Sequence, residues 1–194
     1  DVFCKDTKLN LSPYYLKPGF AFGGSCLPKD VRAITYKAKS VDVDVPLLNS
    51  LNPSNRKQIE IAIDRVLQTG KKNVGILGMS FKSGTDDLRE SPMVSLIEAL
   101  IGKGIKLSIF DRDVQLARLF GANKGYIEKE IPHISSLMGT SLADVVAGAQ
   151  VIVVGKKEKE YAEALQHVGS DVTIIDLVRL PGIEHLAGYD GLSW

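Results

Sequence analysis

From residue 73 onward the chain alternates short apolar runs with longer amphipathic ones, and few folds satisfy that alternation. Residues 73–79 form an apolar run of strand length. Ser91-Pro92 then opens a helix whose Met93, Leu96, Ile97, Leu100 and Ile101 share one face, and Gly104 ends it. Residues 106–110 read as a second strand closing on Asp111, residues 142–147 as a helix, 151–154 as a third strand, 161–167 as a helix and 172–176 as a fourth strand. Strands separated by helices of this length join as parallel βαβ units, so the expected class is α/β: a Rossmann-like parallel sheet with helices on both faces, over residues 71–194.

Residues 1–70 have a different texture. Pro13 and Lys17-Pro18-Gly19 punctuate the start, which reads as a short helix end followed by loop. Pro28 is placed to begin a helix with Asp30 in its first turn and Val31, Ile34 and Ala38 as an apolar stripe. Asn52-Pro53 reads as a cap and first position of another helix, with Ile59, Ala62, Ile63, Val66 and Leu67 at helical spacing and a stop at Gly70. The opening Asp1-Val2-Phe3-Cys4-Lys5 has no initiator Met and no first strand, and reads as a piece of something longer.

Two stretches carry candidate chemistry. Gly23-Gly24-Ser25-Cys26-Leu27-Pro28-Lys29-Asp30 sets a thiol on a glycine turn just before a helix N-terminus, with a cation three residues on and a carboxylate four residues on. Such a setting favours thiolate and admits a substrate, as covalent catalysis requires; a Cys simply buried beside a helix start is the competing reading. The second stretch follows the first strand, at the edge where open α/β sheets bind ligands. There Lys82 and Arg89 could reach phosphate oxygens close to a helix N-terminus, or belong to a solvated charged loop. A G-x-G-x-x-G turn is absent, since Gly75 and Gly78 fall within or at the end of the strand; Asp111 only mimics the acid that binds ribose in such folds.

Composition narrows the partners. With 24 basic and 23 acidic residues the net charge is +1, which offers no overall field for nucleic acid or a membrane surface. Two cysteines and no signal-peptide pattern or bilayer-length apolar run point to a reducing, cytoplasmic setting. His133, His167 and His185 show no metal-ligand spacing, and no motif couples one of them to a thiol as a cysteine hydrolase requires.

Taken together, Phe20-Ala21-Phe22-Gly23-Gly24-Ser25-Cys26-Leu27-Pro28-Lys29-Asp30 and Phe81-Lys82-Ser83-Gly84-Thr85-Asp86-Asp87-Leu88-Arg89-Glu90-Ser91-Pro92 resemble the nucleotide-sugar 6-dehydrogenases, the group containing UDP-glucose and GDP-mannose dehydrogenases. Tyr14-Tyr15-Leu16-Lys17-Pro18-Gly19, Leu47-Leu48-Asn49-Ser50-Leu51, Phe110-Asp111-Arg112, Gly121-Ala122-Asn123-Lys124 and Ile131-Pro132-His133 look like its GDP-mannose branch. The likeness runs to about residue 142 and is vaguer after residue 154.

The resemblance implies a four-electron oxidation of the sugar C6 hydroxyl to a carboxylate with two NAD+ in succession. Cys26 matches the nucleophile that holds the aldehyde as a thiohemiacetal and then a thioester, and Asp30 the carboxylate that activates or orients water. Lys29 and Arg89 match NAD contacts. Tyr14, Tyr15, Lys17, Phe20, Gly23 and Lys82 match the substrate side, where GDP-mannose is the implied partner. It also implies a central dimerisation segment over residues 1–70, a nucleotide-sugar domain over residues 71–194, a homodimer or higher assembly, and an N-terminal NAD-binding domain not in this chain. Without that domain the chain is expected to be inactive alone, as a bare nucleotide-binding or dimerisation module would be. Lys17 stands where Arg is expected, keeping the charge without the bidentate fork, and Pro53 interrupts the region of a long family helix. A role in alginate production follows by resemblance alone, and the alternatives are a UDP-glucose-type enzyme or a non-catalytic nucleotide-binding or dimerisation module.

Overall fold

The structure is a computed structural model that describes residues 2–9, 12, 19–80, 88–114 and 132–192. After a single 3-10 turn, Phe3–Lys5, two helices form the first segment: α1, Leu27–Ser40, and α2, Pro46–Gln68. The sheet unit follows as β1 (Asn73–Leu77), α3 (Pro92–Gly102), β2 (Lys106–Phe110), α4 (Pro132–Ser135), α5 (Leu142–Ala147), β3 (Val151–Val154), α6 (Lys159–Leu165), β4 (Thr173–Asp176) and β5 (Tyr189–Gly191).

The described strands make one sheet in the order β2-β1-β3-β4-β5, with every neighbouring pair parallel. Val74 lies beside Leu107 on one side and Val151 on the other, which fixes β1 near the middle. Side chains then alternate between two cores, as a strand's period of two demands. Ile76, Ile109, Val153 and Ile175 point to a core shared with Met93, Leu96 and Leu100 of α3 and with Ala62, Ile63 and Val66 of α2. Leu77, Phe110, Val154 and Ile174 point the opposite way, to Val145 of α5 and Tyr161 and Leu165 of α6. Helices thus cover both faces, which explains why the strands read as continuous apolar runs.

The first segment departs from expectation at α2. That helix does not start at Asn52-Pro53; it starts at Pro46, whose fixed φ suits a first helical turn, and continues through Pro53. A proline in a helix interior costs about 3 kcal/mol or more through its missing N–H and its clash with the preceding turn. The buried Ala62, Ile63 and Val66 further along α2 offset that cost by docking the helix on the sheet. The end falls as expected: α2 stops at Gln68 and Gly70 takes φ +68°. On α1, Val31 is buried, but Ile34 is 53% exposed rather than part of a packed stripe.

In the sheet unit, α6 begins two residues earlier than the sequence suggests, and β4 begins at Thr173. Strand β5 escaped the sequence reading altogether, because Tyr-Asp-Gly has neither length nor apolar character.

The strand order switches sides at β1, with β2 added on one edge and β3 on the other, and two glycines between β1 and β3 let the strand ends close on each other. Gly78 has φ +88°, and a β-carbon on it would stand 3.1 Å from Lys156 N and closer still to Lys156 Cβ. One on Gly155 would stand 2.6 Å from Gly78 O. Gly78→Ala therefore combines a disfavoured φ with a steric clash, and a loss of about 2–4 kcal/mol is expected. Thermal melting of the variant checks this; a melting temperature equal to the parent's would refute the close packing.

Candidate active site

Beyond β1 and β2 the carboxyl edge of the sheet is organised by the carboxylate of Asp111. Asp111, expected from its position to mimic a ribose-binding acid, is fully buried and committed to protein partners. Its Oδ2 accepts from Met79 N at 2.9 Å and from Ser80 N and Ser80 Oγ at 3.0 Å. Its Oδ1 accepts from Asp113 N at 3.1 Å, Val114 N at 3.3 Å and Lys156 Nζ at 3.1 Å. Lys156 also reaches Asp113 Oδ2 at 2.5 Å. Burial pushes the Asp111 carboxyl up, but Lys156 and the Ser80 and Met79 N–H groups outweigh it and hold the group below the usual carboxylate range. A carboxylate so engaged has no lone pair free for a ligand, so the ribose analogy fails.

The residues that flank positions 81–87 are held close to the same cluster. Ser80 is tied to Asp111 at one end, and Ser91 Oγ donates to Met79 O at 2.8 Å at the other. Lys82 lies between those anchors, outside the described residues, as do Tyr14, Tyr15 and Lys17. Arg89 is exposed in the turn that closes the loop.

Cys26 is exposed and occupies the residue before α1, as its sequence position suggests. Its carbonyl accepts from Asp30 N at 2.9 Å, the first bond of the helix, and its Sγ lies 3.9 Å from Ser25 Oγ. Lys29 and Asp30 project from the first turn into solvent, with Lys29 Nζ 3.6 Å from Asp30 Oδ1. The first-turn N–H groups lend the thiol a partial positive field. Phe20 is half-buried and packs against the core of the sheet.

What sequence reading could not show is that the thiol turn and the loop after β1 meet. Gly23 is buried; a β-carbon there would stand 2.6 Å from Pro92 Cδ and closer still to the Glu90 carbonyl oxygen. Glu90 itself takes φ +50°, a strained setting for a residue with a side chain. Its carboxylate grips Arg32 of α1 in a fork, with oxygens 2.8 and 2.7 Å from the two guanidinium nitrogens. That hydrogen-bonded guanidinium holds the Glu90 carboxyl below its ordinary range. Gly23, Cys26 and Asp30 are thereby joined to the turn that carries Arg89. His133, His167 and His185 are all exposed and lie on other elements. Among the described residues no helix is long and apolar enough to cross a membrane.

The described residues thus form an α/β unit: a doubly wound parallel sheet, joined at its carboxyl edge to a helical segment that bears a thiol on a glycine turn. The model of the UDP-glucose/GDP-mannose dehydrogenase family's UDP binding domain matches residues 75–180, and that of its central domain matches residues 1–57. The chain belongs to this family. It is 52% identical, over its whole length, to the GDP-mannose 6-dehydrogenase of Pseudomonas aeruginosa and 49% identical to that of Azotobacter vinelandii. The UDP-glucose 6-dehydrogenase of Rickettsia felis is more distant, at 30% over 86% of the chain and 35% of its own length. A solved ternary complex of the Pseudomonas aeruginosa GDP-mannose dehydrogenase superposes on the whole chain with a TM-score of 0.89 at 51% identity, over 44% of its own length. A UDP-glucose dehydrogenase from Pyrobaculum islandicum, 20% identical with a TM-score of 0.79 over the whole chain and 42% of its own, shares the fold. The chain spans 44% of the length of both GDP-mannose 6-dehydrogenases.

Proposed function

We propose that this chain supplies the thiol-bearing and sugar-binding part of an NAD-dependent GDP-mannose 6-dehydrogenase, which oxidises GDP-mannose to GDP-mannuronate. The observation that carries this reading is the junction of Gly23 with Glu90 and Pro92, which brings the nucleophile turn beside the turn that carries Arg89 at the carboxyl edge of the sheet. The similarity of about half the residues to GDP-mannose 6-dehydrogenases supports the sugar assignment over a UDP-glucose-type enzyme.

In this reading residues 1–70 are the central helical segment and residues 71–194 the nucleotide-sugar domain. Lys82 neutralises the substrate phosphates, while Tyr14, Tyr15, Lys17, Phe20 and Gly23 line the sugar nucleotide. Cys26 Sγ adds to the C6 aldehyde to give a thiohemiacetal, whose oxidation leaves a thioester on Cys26. Asp30, four residues on and open to solvent, orients the water that releases the acid and frees the thiol.

Among the described residues the sheet edge itself does not fit a dinucleotide, since Gly78 and Gly155 close the strand ends on each other and Asp111 is spent on Lys156. The exposed cations Lys29 and Arg89 fit one flank of NAD+, and a further N-terminal domain holds the rest. Bound there, NAD+ supplies the hydride acceptor for both oxidations. On this account residues 1–194 alone turn nothing over. Leu27 and Ile34 on α1 and Val41 at its C-cap, exposed at seven-residue spacing, suit a homodimer contact; a chain with only two cysteines suits the cytoplasm, and the alginate role rests on the family resemblance.

Comparing GDP-mannose with UDP-glucose in the protein carrying both halves tests the assignment. GDP-mannose should win by at least about tenfold in kcat/KM, with about two NAD+ reduced per sugar. Preference for UDP-glucose, or one NAD+ per sugar, overturns it.

A further inference from the structure

Residues 19–26, which lead to the thiol, contain no helix or strand, and a stretch of this kind needs fixed points to hold a reactive group in place. One comes from the sheet unit, through Glu90 and Pro92 against Gly23. The other comes from the middle of α2. Asn55 Oδ1 accepts from Phe22 N at 2.7 Å and Asn55 Nδ2 donates to Phe22 O at 2.8 Å. One side chain thus satisfies both backbone groups of a single loop residue, as a neighbouring strand would. Asparagine is a poor residue for a helix interior, since its amide competes with the backbone; here the amide is turned away from its own helix and spent on the loop. Phe22 is four residues before Cys26 and adjoins Gly23.

We propose that Asn55 is a positioning residue for catalysis: its two-way clamp on Phe22 sets the path of the thiol turn and so the placement of Cys26 against the sugar carbon. The inference rests on the function proposed above. Asn55 touches no reacting atom in this scheme. It acts through Phe22 and Gly23, while the Arg32–Glu90 fork holds α1, the helix that continues from Cys26. A misplacement of about 1 Å at a reacting group costs up to roughly 100-fold in rate, and loss of the clamp is expected to act at that scale on kcat rather than on binding.

The experiment uses Asn55→Ala, Asn55→Asp and, as a control on the exposed side of the same helix, Ser54→Ala, in the protein carrying both halves. Asn55→Ala should lower kcat by about 10- to 100-fold with KM for GDP-mannose within about threefold, and should speed hydrogen exchange at the Phe22 amide. Asn55→Asp, which keeps an acceptor for that amide, should retain its protection and recover part of kcat; Ser54→Ala should change neither. Iodoacetamide labelling of Cys26, read peptide by peptide against Cys4, should differ between parent and Asn55→Ala by more than about threefold. That labelling needs no substrate, so it reports on the clamp even if the protein reduces no NAD+, a result that would fail the functional reading alone. Unchanged kcat and unchanged Cys26 labelling despite faster exchange at Phe22 overturn the proposal. So does a fall in melting temperature with exchange raised all along α2, which would make Asn55 a packing residue only. If Asn55→Ala does not fold, the same comparison of kcat, KM and labelling is made on Asn55→Asp.

Discussion

Cys26→Ser, in the protein carrying both halves, is expected to lower the rate of acid release by at least about 1000-fold while leaving GDP-mannose binding within a fewfold of the parent. The reason is chemical. A hydroxyl is a far weaker acid than a thiol, so neither the N-terminal field of α1 nor the open glycine turn makes it a comparable nucleophile. Cys26 is exposed and continuous with a folded helix, so the substitution removes reactivity without disturbing a core. Oxidation should stall at the aldehyde, and the yield of NADH per GDP-mannose should drop from about two to about one or fewer. Steady-state absorbance with product analysis reads both quantities. Acid release at the parent's rate would remove Cys26 from the reaction.

Asp111→Ala is the second large effect, and it acts on stability. The substitution strips Lys156 of one carboxylate and leaves the N–H groups of Met79 and Ser80 buried without their acceptor. Breaking a buried pair by removing one partner costs about 3–5 kcal/mol, so a fall in melting temperature of roughly 6–20 °C is expected for a chain of this size. Asp111→Leu combined with Lys156→Met should lose less than either single change, because neither fully buried charge of the pair is then left without the other.

The same group gives a pH signature. Its folded pKa lies below the unfolded value of about 3.9, so its contribution is complete above that value and is lost as pH falls from there through the folded pKa. Asp111→Asn should therefore flatten the acid side of the stability curve below about pH 4 and leave its shape at neutral pH unchanged. An identical acid slope in parent and variant would contradict the assigned role.

The parallel strands and α3 were legible because strands buried on both faces must be apolar throughout, and Val151 to Val154 leaves no other option. The start of α2 misled because Asn52-Pro53 carries the same signal as a helix start, while the real start, Val45-Pro46, lacks a capping side chain. The partner of Asp111 was not legible, because Lys156, 45 residues later, is invisible to any local pattern. The same holds for the candidate site. Cys26, Lys29 and Asp30 announce themselves by spacing, but Asn55, Arg32 and Glu90 are ordinary surface-type residues until the fold brings them to the turn. Asn55 gave no local signal, because a helix read as starting at Asn52-Pro53 puts it in the first turn, where asparagine is unremarkable.

Covalent attachment of the sugar is expected at the thiol turn, held between α2 and the Glu90 turn. Rapid acid quenching of the protein carrying both halves during turnover with GDP-mannose and NAD+, followed by mass analysis of the peptide containing Cys26, tests it most directly. A sugar-nucleotide acyl adduct on Cys26 is expected, disappearing as substrate is exhausted. Steady acid production with Cys26 unmodified at every quench time, and still open to alkylation, would contradict it.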